Sequence, residues 1–165
     1  YVPLIILATS NLWNGIMVNY SWLEMVCHII LMLCVGFIEE VIFRGFLFKA
    51  IAKDNVKTAI IISSVTFGVG HLVNLVNGSG MELVANLFQI VGAIAFGFLF
   101  VILFYCGRSL LPCIVTHSMI NILSAFANQA SLNVEKRMIF TLIEFAIILV
   151  YALILIKTLP KNRVS

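Results

Sequence analysis

Glu39, Glu40 and Arg44 stand within six residues of one another, inside an otherwise apolar run from Trp22 to Phe48. On the membrane-insertion scale a central Asp, Lys or Arg costs about 2.5–3.5 kcal/mol, and a Leu or Ile returns about 0.3–0.6 kcal/mol. With Glu taken as similar to Asp, the three charges offset about what the apolar residues gain. That face must turn away from lipid and toward other helices, and ionisable residues in such positions mark functional sites. The other strong polar residues in apolar segments are His71, His117, Asn121 and Glu144, with Asn74, Asn86 and Gln89 weaker.

The spacing of these residues divides the work among them. Glu40 and Arg44 are four apart with the acid on the N-terminal side, the better orientation for a helical ion pair. Glu39 points about 100° away on the same helix and has no cation of its own there. Two carboxylates and one guanidinium leave one acid over, and a carboxylate close to a histidine is what general-base activation of water needs. Phe67 and His71 are four apart, as are His117 and Asn121. Histidine and asparagine can both donate hydrogen bonds to a developing negative charge. Each residue also has a plainer reading: a structural ion pair for Glu40 and Arg44, and interhelical hydrogen bonds for the histidines and Asn121. Glu144, alone on the last apolar stretch, has no explanation in the sequence.

The elements that carry these residues are membrane spans. The chain of 165 residues is 62% hydrophobic and only 10% charged, with a mean hydropathy of +1.14. A soluble domain is about 45–50% apolar and about 25% charged. The fold class is therefore all-α, a polytopic transmembrane helix bundle, because lipid demands that each segment satisfy its own backbone hydrogen bonds. A single membrane-embedded domain over residues 1–165 is expected. The chain opens on Tyr1 and not on Met, so residues upstream are expected. The net charge of +3 implies cytoplasmic loops and not a nucleic-acid partner. Cys27, Cys34, Cys106 and Cys113 lie in or beside apolar segments and contain no Cys-x-x-Cys, so they read as small core residues.

Along the chain, residues 3–18 form a weak first apolar segment punctuated by Asn11, Asn14 and Asn19. Residues 22–50 predict one long helix, residues 58–75 and 83–106 two further spans, residues 110–127 a short span and residues 138–157 a last one. Asn77-Gly78-Ser79-Gly80 reads as a turn. Ala93 and Gly97 would allow a close helix contact. Ser109 and Pro112 mark a helix start. Alternating spans put Lys49, Lys53, Lys57, Arg108, Lys157, Lys161 and Arg163 on one side and Lys136 and Arg137 on the other, which makes the first side cytoplasmic. Measured from that side, Glu39 lies about 15 Å deep, His71 about 21 Å, and His117 and Asn121 about 13 and 20 Å. Three helices of alternating direction carry their polar groups to a similar level.

At these residues the chain resembles the CAAX-prenyl-protease and bacteriocin-processing (CPBP, Abi) family of intramembrane endopeptidases. The matching motifs are Glu39-Glu40-Val41-Ile42-Phe43-Arg44 followed by Gly45, then Phe67-Gly68-Val69-Gly70-His71, then His117-Ser118-Met119-Ile120-Asn121 preceded by Ser109 to Pro112. The resemblance covers residues 22–127. It implies that Glu39 and His71 activate the attacking water, that His117 and Asn121 stabilise the oxyanion, and that Glu40 and Arg44 support them beside Phe67. The substrate it implies is a prenylated protein tail or a small peptide precursor, within the cell membrane and among its lipids. No cofactor is expected. Zinc on Glu39, His71 and His117 is the less favoured alternative, since the chain has no His-Glu-x-x-His and asparagine is a poor zinc ligand. A non-catalytic immunity or regulatory protein on the same scaffold, and a small transporter or proton relay, are the competing functions.

Overall fold

A computed structural model describes residues 1–76, 83–130 and 132–158, and the expected turn at Asn77–Gly80 and the basic residues Lys161 and Arg163 lie outside them. The fold is all-α. The helices are α1 (Val2–Ala8), α2 (Trp22–Glu40), α3 (Lys49–Ala52), α4 (Val56–Val69), α5 (Leu83–Gly107), α6 (Leu111–Leu123) and α7 (Val134–Thr158). A π-helical stretch, Val41–Phe48, joins α2 to α3, and short 3-10 turns follow α1, α4 and α6. Four stretches are long and apolar enough to cross a membrane: Trp22–Ala52, Val56–Leu75, Leu83–Gly107 and Val134–Thr158. The apolar stretch Leu111–Phe126 is shorter, and in the segment over residues 3–18 the α-helix ends at Ala8.

Several boundaries differ from expectation, each for a local reason. The regular helix over residues 22–50 changes hydrogen-bonding pattern at Val41, and the wider turn lets the Phe43 carbonyl accept from Ser63 Oγ at 2.8 Å. The helical run ends at Ala52, two residues beyond the expected end. α4 begins two residues early because Asn55 caps it, accepting from Thr58 N–H at 3.0 Å, the usual role of asparagine at that position. α7 begins at Val134 because Asn133 does the same for Lys136 N–H at 2.9 Å. α6 starts at Leu111 with Pro112 in its first turn, as the sequence predicts.

The described residues fall into two compact units. The first comprises residues 1–41 and 109–147, and is built on α2 against α6. Gly36 makes that pairing: a Cβ there would lie 2.3 Å from Ser118 Oγ and 3.0 Å from the Ser118 Cα and N. The N-terminal segment then straps the end of α6. Asn11 Nδ2 donates to the Ile120 carbonyl (2.7 Å), Asn19 Nδ2 to those of Ala125 and Ala127 (3.0 Å each), and Asn14 Nδ2 to that of Asn128 (2.7 Å). The last carbonyls of a helix have no partner within it, and in lipid an unmade bond costs several kcal/mol. Asn11 supplies such a partner at Ile120, while Asn19 and Asn14 hold the 3-10 turn and the chain that follow α6.

The second unit comprises the described residues of 42–108 and 148–158 and is built on α4 against α5. Two glycines set the approach, one from each helix. A Cβ on Gly97 would lie 2.9 Å from the Ser64 carbonyl, and one on Gly68 would lie 2.3 Å from Ile94 Cγ1 and 2.8 Å from its N. Gly97 thus serves the close contact its sequence position predicts. Its counterpart Gly68 comes from within the Phe67-to-His71 motif. Phe48, Leu99, Phe100, Val101 and Phe104 fill the core beside them.

Candidate active site

Within the first unit, α2 and α6 bring three of the predicted residues together. His117 Nδ1 lies 2.9 Å from Glu40 Oε1, and His117 Nε2 lies 3.5 Å from Glu39 Oε2. An ionised Glu40 can only accept, so Nδ1 carries the proton and the ring's orientation is fixed. The Glu40 side chain is fully buried, whereas that of Glu39 is one-third exposed (33%). The two adjacent acids therefore differ in burial: Glu40 faces inward and holds a histidine, and Glu39 is partly exposed on the helix surface. The spacing assigns Glu40 to Arg44; the structure adds His117 as a partner that sequence reasoning did not foresee. The signal for it was the Gly36–Ser118 contact, because only a glycine four residues before Glu40 lets α2 come this close to α6.

Asn121 sits one turn beyond His117 on α6. Its backbone carbonyl accepts from Ser124 Oγ at 2.6 Å and from His28 Nε2 at 3.2 Å. Among the described residues its side-chain amide makes no hydrogen bond. Glu144 also finds an explanation. Ser10 hydrogen-bonds it, Trp13 packs edge-on against Phe140, and Lys136 Nζ lies 3.5 Å from Asn14 Oδ1. Lys136, Phe140 and Glu144 are four apart, so one face of α7 meets the N-terminal strap.

Arg44, Phe67 and His71 belong to the second unit. Arg44 is fully buried. Its guanidinium stacks over the rings of Phe67 (4.3 Å) and Phe100 (5.4 Å), and Nη2 donates to the Gly97 carbonyl at 3.3 Å. Phe67 turns its edge contacts to Phe43 and to His71, so one aromatic ring positions both the cation and the histidine. His71 Nδ1 lies 3.2 Å from the Phe67 carbonyl. A carbonyl only accepts, so Nδ1 bears the proton and Nε2 is left as an acceptor able to take one. The backbone here leaves the α-helix for a 3-10 turn at Gly70. That turn is held by Asn86 Nδ2, which donates to the His71 carbonyl at 2.9 Å, and by Asn74 bonded to Gln89 at 2.9 Å. The three weaker polar residues thus serve the His71 backbone.

Zinc was the alternative cofactor, and the donor set bears on it. Among the described residues no group of three or more His, Cys, Asp or Glu side chains is arranged to hold a metal ion. His117 Nδ1 faces Glu40 and Nε2 faces Glu39, and His71 belongs to the second unit.

The structure therefore defines an all-α membrane protein with an acid–histidine pair set into its helices. The chain matches the family described as Rce1-like, type II CAAX prenyl endopeptidase, over residues 20–123, more than half its length. It belongs to that family and has the scaffold of a CAAX-type intramembrane protease. No curated protein and no solved structure matches the chain.

Proposed function

We propose that the protein is an intramembrane endopeptidase that hydrolyses a peptide bond in a prenylated protein tail or a small peptide precursor, by a metal-free, glutamate-activated water. The observation that carries this reading is the Glu40–His117–Glu39 constellation: a buried acid orients a histidine whose other nitrogen faces a second, partly exposed acid. Glu39 is the base that removes the water proton. His71, through its unprotonated Nε2, is assigned to the same water by the resemblance, and its tautomer suits that role. Glu39 Oε2 faces His117 Nε2 at 3.5 Å, so the proton it takes from the water is shared with Nε2, and His117 donates it in a hydrogen bond to the oxyanion while its Nδ1 proton stays with Glu40. The Asn121 amide is the other donor. The proton taken by Glu39 is then available to the leaving amine, so the cycle closes without a bound group. The helix ends and loops bearing Lys49, Lys53, Lys57 and Arg108 face the cytoplasm in this reading, with the chain multi-pass in the cell membrane.

The test is cleavage by purified protein in liposomes. One quenched fluorescent probe carries a farnesylated Cys-aliphatic-aliphatic-x tail, and a second is an unprenylated peptide of the same sequence. Glu39→Gln serves as the control. Cleavage by the wild type and none by Glu39→Gln supports the proposal, and the ratio of the two probes reads the substrate class. Equal rates with and without the substitution refute it. A wild type that cleaves neither probe, with mass-spectrometric peptide profiles identical in cells carrying either form, moves the function to a non-catalytic scaffold.

A further inference from the structure

We propose that His28 is a positioning residue for Asn121, acting with Asn11 to fix the end of α6 that carries the oxyanion pair; this rests on the endopeptidase reading above. His28 lies on α2, eleven residues before Glu39. Its Nε2 is 3.2 Å from the Asn121 carbonyl, which can only accept, so His28 donates. The ring stacks on Tyr20, with centroids 5.3 Å apart and planes 26° from parallel, which limits its rotation. One residue earlier, the Ile120 carbonyl takes the Asn11 amide at 2.7 Å. Two consecutive carbonyls at the site end of α6 are thus held by side chains from two other elements; the Asn121 carbonyl also takes Ser124 Oγ at 2.6 Å, a local bond that does not tie it to α2 as His28 does.

The position of these bonds matters more than their number. α6 ends two residues after Asn121 and tightens into a 3-10 turn over Ser124–Phe126. The last turn of a helix frays unless its carbonyls find partners. Asn121 lies in that turn, so its amide direction depends on whatever holds the backbone. His28 sits on the helix that also carries Glu39 and Glu40, so the bond sets Asn121 in register with the acids. A donor placed within a fraction of an ångström of the developing charge is what electrostatic stabilisation requires.

The experiment compares His28→Phe, which keeps an aromatic ring against Tyr20 and removes the donor, with His28→Gln, which keeps an N–H donor. Farnesylated probe cleavage is measured in liposomes. The expected result for His28→Phe is a fall in kcat of about three- to tenfold, the worth of one hydrogen bond, with KM and melting temperature unchanged. His28→Gln recovers most of the rate. A parallel fall in melting temperature that Gln does not repair, or an unchanged kcat, overturns the proposal. Hydrogen exchange is followed over residues 120–127 in the same variants. Faster exchange in His28→Phe and recovery in His28→Gln is expected even if the wild type cuts no probe, whereas equal exchange in all three overturns the positioning role. Failure of the protease reading and failure of the positioning role therefore give different results.

Discussion

Gly36→Ala tests how the acid–histidine site is assembled. The added Cβ would lie 2.3 Å from Ser118 Oγ and 3.0 Å from the Ser118 Cα and N. Ordinary contact between heavy atoms begins near about 3.5 Å. The hydroxyl can rotate away, but the backbone atoms cannot, so α2 must retreat from α6 by about 0.5 Å to restore that separation. The same retreat would stretch the 2.9 Å bond between His117 and Glu40 to about 3.4 Å, beyond the useful hydrogen-bonding range. Overpacking of this kind costs about 1–3 kcal/mol. The expected outcome is a lower melting temperature in detergent and a cleavage rate reduced at least tenfold. Ser118→Ala alone should be nearly silent, since Ser118 Oγ is buried and makes no hydrogen bond among the described residues. Combined with Gly36→Ala it should recover only part of the loss, because the backbone contacts remain. If Gly36→Ala melts with the wild type and cleaves as fast, the close approach does not build the site and the reasoning is wrong.

Other perturbations probe the second unit and the chemistry. Arg44→Ala removes a fully buried cation stacked between two rings and empties its volume, so a loss of about 3 kcal/mol or more is expected, visible as reduced protein level and melting temperature. Asn86→Ala leaves the His71 carbonyl without its donor; a loss of about 1–3 kcal/mol and faster proteolysis near residue 75 should follow. Exhaustive chelation should leave cleavage intact, with no stoichiometric zinc by elemental analysis; activity lost on chelation and restored by zinc would reverse the metal-free mechanism.

The spans were legible in the sequence because hydropathy is a property of composition and long runs average over local detail. The candidate residues were legible because charge in lipid is costly and must be used. The partners were not. Glu40 and Arg44 announce each other by spacing along one helix, but His117 reaches Glu40 from a segment 77 residues away, and no helical period encodes that distance. The π stretch at Val41 was likewise invisible, since its apolar residues suit either turn. Asn11, Asn14 and Asn19 looked like punctuation. Their meaning came only from the helix end they serve, which lies more than a hundred residues downstream. His28 gave no signal either, because the carbonyl it bonds, that of Asn121, lies 93 residues away.

The shortness of α6 has a consequence for the lipid around it. Its 13 α-helical residues and 3-residue 3-10 tail reach about 20 Å and about 6 Å respectively. A bilayer's hydrocarbon core is about 30 Å thick. A short hydrophobic length is met by thinning the bilayer, at a cost of fractions of a kcal/mol per ångström. Lipids bordering this helix would dip toward it and lower the headgroup plane. Under the proposed endopeptidase reading, such a dimple would shorten the route by which water descends to His117 and Asn121. The membrane's own elasticity then becomes a component of substrate access, and bilayer thickness a means of tuning it.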